Sequence, residues 1–445
     1  MDGRALAVFL ATYGACLAAL LPRLSLWLDE VLDLIGARKE TLQQVWEYAA
    51  RNAGGVPLGY FYAFLSIRTF GYSVSAGRLP SLVASLAACA GIFLLARRLG
   101  MRYPLIAVAI FALVPLQFRY AMEARPYGPA LAIAIWSTVV FLQLLDAPGF
   151  RRAELYGLLV AAGLFTQVYS IFIPVAHVVW LFLDRRDARA LRYVVLPFAL
   201  ACACFLPWYF YGVPFWKAEI ATYAIHPQFN FKEAQLIFKE LVGMGYAGTI
   251  VMLIFGALGL RSLSPGKRML WVLLVAVPII GAVTANLALG YFLAIRQVIY
   301  VLLPLSLLAA LCIEELLRSG KPVEVLLVAA LAGLALFEDA RLFTRPRENW
   351  EAAAALLAEE STGTNCVISV PSSSWELYQF FQPKLLQTSC LDNEQSYSSI
   401  VVAVSPYESQ ALLSATVQQF QSHGWMRIGE RTFNGPRILY FSHAK

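Results

Sequence analysis

Apolar residues run through this chain in long blocks, parted by short charged or proline-containing turns. About eleven blocks approach the roughly 20 residues that a helix needs to cross a bilayer. They cover 5–22, 79–96, 103–118, 126–145, 154–170, 171–183, 191–210, 247–260, 269–289, 298–315 and 323–340. In hydrocarbon a helix satisfies its own backbone hydrogen bonds within one segment. The blocks lack the two-residue alternation of a membrane barrel. The pattern predicts a mainly α, polytopic transmembrane bundle over 1–340, with two long loops, 22–77 and 212–246. Within the first loop, Leu42–Ala50 and Leu58–Phe70 are amphipathic and suited to a membrane interface.

The pattern changes after Phe337. From 341 to 445 the chain reads as a small α/β domain. Helices are expected at Glu348–Glu360 and Ser409–His423, and strands at Cys366–Val370, Ile400–Val404 and Arg437–Phe441.

Composition agrees with a membrane protein: 59% of residues are hydrophobic and 14% charged, against about 25% charged in soluble domains. The net charge of +7 has no basic tract or nucleic-acid motif behind it and fits cationic helix ends. Lys and Arg are densest in the turns at Arg97-Arg98, Arg151-Arg152, 184–192, 261–268 and 318–321. Their bias places the N-terminus in the cytoplasm, the two long loops outside and, for an odd number of spans, the 341–445 domain outside. An apolar run after Arg4 resembles a signal peptide, but no small-residue cleavage site follows it, and a retained first helix is expected.

Five cysteines (Cys16, Cys89, Cys202, Cys204 and Cys312) fall in apolar blocks and are expected to pack as small hydrophobes. Cys366 and Cys390 could pair in an oxidising compartment. His177 lies in an apolar block and reads as a hydrogen-bonded core residue, and His226 as an exposed one. No His/Cys group has zinc spacing, and no phosphate loop or serine-nucleophile motif is present.

Three charged clusters lie at outer helix ends, where carboxylates are costly if they dip into low dielectric and arginines run against the positive-inside bias. Asp29 and Glu30 follow the first apolar block. They are either a solvated helix start or a general base beside a supporting acid. Arg119, Glu123, Arg125 and Tyr127 share the short turn before the fourth block. The pair Arg119–Glu123 has i, i+4 spacing, while paired guanidinium donors also suit an anionic headgroup. Arg296 and Arg78 lie at the outer ends of blocks, either as lipid anchors or as further phosphate contacts.

In order and spacing, several motifs resemble the bacterial C-type (GT-C) integral-membrane glycosyltransferases related to protein O-mannosyltransferases and the lipid A aminoarabinose transferase. They are Trp27-Leu28-Asp29-Glu30, Pro57-Leu58-Gly59-Tyr60-Phe61-Tyr62, Gly77-Arg78-Leu79-Pro80-Ser81, Glu123-Ala124-Arg125-Pro126-Tyr127, Pro207-Trp208, Arg296 before Pro304, and Asn349-Trp350-Glu351-Ala352-Ala353. One departure is Gly54-Gly55-Val56, where many relatives have a histidine before the proline. The resemblance implies a multi-pass enzyme of the bacterial plasma membrane. It would transfer one sugar, with inversion, from a polyprenyl-phosphate donor to an extracytoplasmic lipid, polysaccharide or protein acceptor. It implies Asp29 as base, with Glu30 supporting it or contacting the acceptor, and Arg125 and Arg296 as phosphate-binding groups; Arg78, Arg119, Glu123 and Tyr127 are expected beside them as further substrate contacts. No cofactor is required, although Asp29, Glu30 and Glu123 could hold a divalent cation. The rival function is a non-catalytic transporter or flippase of lipid-linked sugars; a scaffold whose outer domain binds a partner is a third.

Overall fold

In the computed structural model, the structure describes all residues except 1, 53, 185–187, 223–228, 291–292, 345–346, 362–364, 387–396, 407–409 and 444–445. The chain is mostly helical, with a four-stranded sheet near its C-terminal end. Among the described residues, six helices are long and apolar enough to span a membrane by themselves: Gly3–Arg23, Val74–Arg98, Tyr127–Asp146, Leu191–Ala218, Pro265–Leu289 and Ile295–Ser319. A seventh span is counted if Phe231–Glu240 and Gly245–Arg261, bent by 72°, are taken together.

Each remaining predicted block is helical but shorter, interrupted or more charged. The block at 103–118 breaks between Pro104–Leu113 and Pro115–Tyr120. Pro115 explains the break, because it has no N–H to give and forces Val114 into an extended conformation. Pro322–Thr344 carries Glu324, Glu338, Asp339 and Arg341. Both interfacial stretches are helices, Leu42–Arg51 and Pro57–Phe70. The first starts on a capping box, with the Thr41 side chain accepting from the Gln44 amide.

Burial separates inner from outer helices. The most apolar window of Ile295–Ser319 is 94% buried and that of Tyr127–Asp146 78%, whereas that of Gly3–Arg23 is 17%. Outer helices therefore keep apolar side chains on their exposed faces, as a lipid-facing helix must. Of the five cysteines expected to be packed, Cys89 and Cys312 are buried, but Cys16 and Cys204 are exposed and Cys202 intermediate. His177 is fully buried, between the Tyr156 hydroxyl at 3.1 Å and the Thr138 hydroxyl at 3.2 Å.

The sheet comprises β1 (Asn365–Val370), β2 (Ser399–Val404), β3 (Trp425–Thr432) and β4 (Arg437–His443), in the order β1-β2-β4-β3. β1 and β2 are parallel; β2–β4 and β3–β4 are antiparallel. Helices Trp350–Glu360, Trp375–Phe381 and Gln410–Ser422 complete this part. Strand β3 escapes the sequence pattern because it is an edge whose residues are mostly exposed. Cys366 is disulfide-bonded; its expected partner Cys390 lies outside the described residues, as does His226.

Candidate active site

The site is built where helix ends meet. The first helix stops at Leu20, and a 3₁₀ turn, Leu21–Arg23, leads to a short helix, Leu28–Ala37. We call the latter the rim helix. Its first turn carries Asp29 and Glu30. Successive residues of a helix point about 100° apart, so the two acids enter different surroundings.

Glu30 faces inward. Arg78 Nε donates to its Oε1 at 2.6 Å and Nη2 to its Oε2 at 2.8 Å. The backbone N–H of Ala124 also donates to Glu30 Oε1, at 2.8 Å. Arg78 Nη1 donates to the carbonyls of Leu21 and Leu24, at 2.5 and 2.8 Å. Both side chains are wholly buried. A paired, fully hydrogen-bonded charge is the form in which a low-dielectric interior tolerates one. The two residues expected as a catalytic acid and a substrate contact are thus paired with each other and buried in this geometry.

Asp29 faces the rim and remains partly exposed, at 22% of its side chain. Its Oδ2 lies 3.4 Å from Arg125 Nη2 and 3.2 Å from Arg296 Nη2. Arg125 also donates through Nη1 to the Asp29 carbonyl at 2.8 Å and through Nη2 to the Tyr127 hydroxyl at 3.2 Å. One turn along the rim helix, Asp33 Oδ2 sits 2.8 Å from Arg125 Nη1. Burial pushes the Asp33 carboxyl up to about 6, against the opposing pull of Arg125. Burial works against the charge of Arg125 too, but Asp33, Tyr127 and Asp29 outweigh it and leave the pKa raised. The structure thus brings Asp29, Arg125, Tyr127 and Arg296 together from three separate stretches of chain.

Arg119 and Glu123 form the second half of the rim. Arg119 Nε lies 3.0 Å from Glu123 Oε1, the i, i+4 pair that the spacing allows. Arg347 Nη2 reaches the same oxygen at 2.5 Å. Burial raises the Glu123 carboxyl pKa, with Arg119 opposing. Trp27 joins the two halves. The guanidinium carbons of Arg347, Arg296, Arg119 and Arg125 lie 4.7, 5.5, 5.8 and 5.8 Å from its ring centre. Four polar atoms here are buried without a hydrogen-bond partner among the described residues: Trp27 Nε1, Arg125 Nε, Glu123 Oε2 and Arg347 Nη1. Buried polar atoms are ordinarily paired, so this cluster is equipped to engage an oxygen-rich group.

Beside Arg119 and Arg347 opens a cavity of about 230 Å³, lined in part by Ser25, Glu240, Glu338 and Arg341. Its wall at Gly243 approaches the chain closely. The glycine has φ +78°, and an added Cβ would stand 2.9 Å from the Leu116 nitrogen.

The three carboxylates considered for a divalent cation are not assembled. Glu30 is paired with Arg78, Glu123 holds two arginines through Oε1 alone, and no group of three His, Cys, Asp or Glu side chains is arranged to hold a metal among the described residues. Asp33, Arg347 and Glu348 were not singled out from the sequence. Asp33 carried a usable signal, since it lies four residues from Asp29 on the same helix face. The other two lie more than 300 residues away from the rim helix, and no local pattern announces them.

Residues 55–211 match the family described as dolichyl-phosphate-mannose-protein mannosyltransferase. No curated protein matches by sequence. Among solved structures, ArnT from Cupriavidus metallidurans in the apo state is similar over 99% of this chain and 98% of its own, with a TM-score of 0.62 and 12% identity. The same protein bound to undecaprenyl phosphate is similar over 98% and 97%, with a TM-score of 0.60 and 12% identity. The oligosaccharyltransferase AglB from Archaeoglobus fulgidus, in complex with an inhibitory peptide and a dolichol-phosphate, is similar over 97% of this chain and 74% of its own, with a TM-score of 0.52 and 10% identity. The chain therefore shares the GT-C fold of these proteins.

Proposed function

We propose, from the GT-C fold and the charges gathered at its rim, that this protein transfers a sugar from a polyprenyl-phosphate donor to an acceptor on the extracytoplasmic side of a bacterial plasma membrane. The observation that carries the reading is the sharing of Asp29 Oδ2 by Arg125 and Arg296, on a partly exposed rim next to a cavity. The neighbouring ArnT and AglB structures hold undecaprenyl phosphate and dolichol-phosphate. A donor of that class keeps its isoprenoid tail in lipid and brings only its headgroup to the rim. Residues 1–340 form the membrane unit in this reading, with about eleven membrane passages and an N-terminus inside, and 341–445 form the outer domain.

The chemistry needs one base and a sink for negative charge. Asp29 accepts the proton of an acceptor hydroxyl as its oxygen attacks the anomeric carbon. The bond from that carbon to the phosphate oxygen breaks, and its electron pair leaves with the polyprenyl phosphate. Attack opposite the leaving group inverts the anomeric centre. Arg125 and Arg296 are held in place before the reaction and stabilise the phosphate charge as it develops. Their positions are fixed by Asp29, Asp33 and Tyr127, so no large rearrangement is required. The cavity beside Arg119 and Arg347 receives the acceptor, and its mixed Arg and Glu lining suits hydroxyl groups. No step requires a metal, and Glu30 and Arg78 brace the rim helix without touching substrate.

The test uses the full chain reconstituted in vesicles with undecaprenyl phosphate carrying a radiolabelled pentose or hexose. The expected result is a new labelled glycoside with one free undecaprenyl phosphate per transfer. Movement of intact donor across the bilayer, without release of the phosphate, would contradict the enzyme reading and support a transporter.

A further inference from the structure

The first turn of any helix leaves backbone N–H groups without partners, and a side chain at the N-cap position usually accepts one of them. The rim helix cannot cap itself this way. Its N-cap residue is Trp27, whose indole offers no acceptor, and it makes no capping hydrogen bond. The missing acceptor comes from 320 residues further along. Glu348 Oε2 accepts the Leu28 N–H at 2.7 Å and the Trp350 Nε1–H at 2.5 Å. A carboxylate at this end is also favoured by the helix dipole.

The segment carrying Glu348 is held from the other side by the β3–β4 hairpin. Asn349 N donates to the Phe433 carbonyl at 3.1 Å, and Asn434 Nδ2 to the Arg347 carbonyl at 2.9 Å. Gly435, at φ +139°, leaves room for the crossing; a Cβ there would lie 3.1 Å from Glu348 Cγ. The adjacent Arg347 grips Glu123 at 2.5 Å, in the turn that also carries Arg125. Two consecutive residues therefore fasten the two elements whose side chains meet as Asp29 and Arg125. Apolar packing continues the contact: Val31, Leu28, Leu32 and Ile35 of the rim helix join the cluster around Trp350 and Tyr378.

We propose that Glu348 is a positioning residue, a remote N-cap through which the C-terminal unit sets the register of Asp29 against its arginines. The catalytic consequence rests on the glycosyl-transfer reading above; the capping itself does not. Hydrogen exchange on the full chain in detergent separates the two. Glu348→Ala should raise exchange in the first turn of the rim helix about tenfold, the scale of losing a charged cap, with the sheet strands unchanged. Glu348→Gln keeps an acceptor oxygen and should restore protection. Trp350→Phe removes the competing donor and should leave the rim helix protected. Unchanged exchange in Glu348→Ala, a Gln variant as exposed as the Ala variant, or protection lost evenly throughout the chain would each overturn the proposal. If donor turnover is present, Glu348→Ala should lower kcat about tenfold with the KM for donor unchanged, and Gln should rescue it. Absent turnover in the wild type would defeat the enzyme reading and leave the exchange result standing.

Discussion

Asp29 and Glu30 are neighbours in sequence, carry the same chemical group, and live in opposite surroundings. Glu30 is enclosed, with both oxygens matched to the fork of Arg78 and a third donor from Ala124. Asp29 is partly exposed and shares one oxygen between two arginines at 3.2 and 3.4 Å. The enclosed pair is finished; every hydrogen bond is spent on the fold. The open cluster is unfinished, with unpartnered polar atoms on Arg125 and Trp27 close by. One rim thus holds an enclosed ion pair and a partly exposed one, separated by a single step along a helix.

The largest test of that contrast is the pair of isosteric changes. Asp29→Asn should lower transfer by about 10²–10⁴-fold with protein abundance and Tm unchanged. Glu30→Gln, in whatever fraction folds, should retain most of its turnover; the vesicle assay measures both. The next effect is on stability. Glu30→Ala strands the buried Arg78 charge and should destabilise the chain by about 3–5 kcal/mol, read as a fall in Tm in detergent. The double change Glu30→Leu with Arg78→Met should recover much of that loss. Arg296→Ala should reduce kcat/KM for donor on the order of 10²-fold with little change in Tm, since its partner Asp29 can turn to water.

The smallest effect concerns pH. Asp33 has its carboxyl raised by burial to about 6, above an ordinary aspartate near 4. The folded state therefore holds this proton more tightly than the unfolded one. The resulting stabilisation is complete below about pH 4 and is lost as pH rises through about 6. Asp33→Asn should remove that part of the decline in Tm between those values. It should also remove an ionisation near pH 6 from the donor-binding profile, because protonated Asp33 no longer holds Arg125.

Much of this was legible in the sequence, for reasons that can be named. Asp29, Arg125 and Arg296 stood out because charge at a membrane boundary is costly and must be used. Arg78 stood out for the same reason, but its pairing with Glu30 was not legible: an inward-facing arginine announces a partner without saying whether it is a carboxylate or a substrate. Long apolar blocks read directly as helices, whereas the break at Val114-Pro115 requires the proline to be weighed against the hydropathy around it. The polar edge strand β3 and the Glu348 cap were hidden, because each is defined by a partner that local periodicity does not show.

The division of labour at Asp29 is tested most directly by measuring undecaprenyl phosphate binding and sugar transfer together in Asp29→Asn. Asparagine keeps the shape and removes the charge that competes for Arg125 and Arg296. Binding should be as tight as in the wild type or tighter, while transfer falls to background. Transfer at the wild-type rate, or loss of binding along with transfer, would contradict the assignment of Asp29 as the base and the two arginines as the phosphate grip.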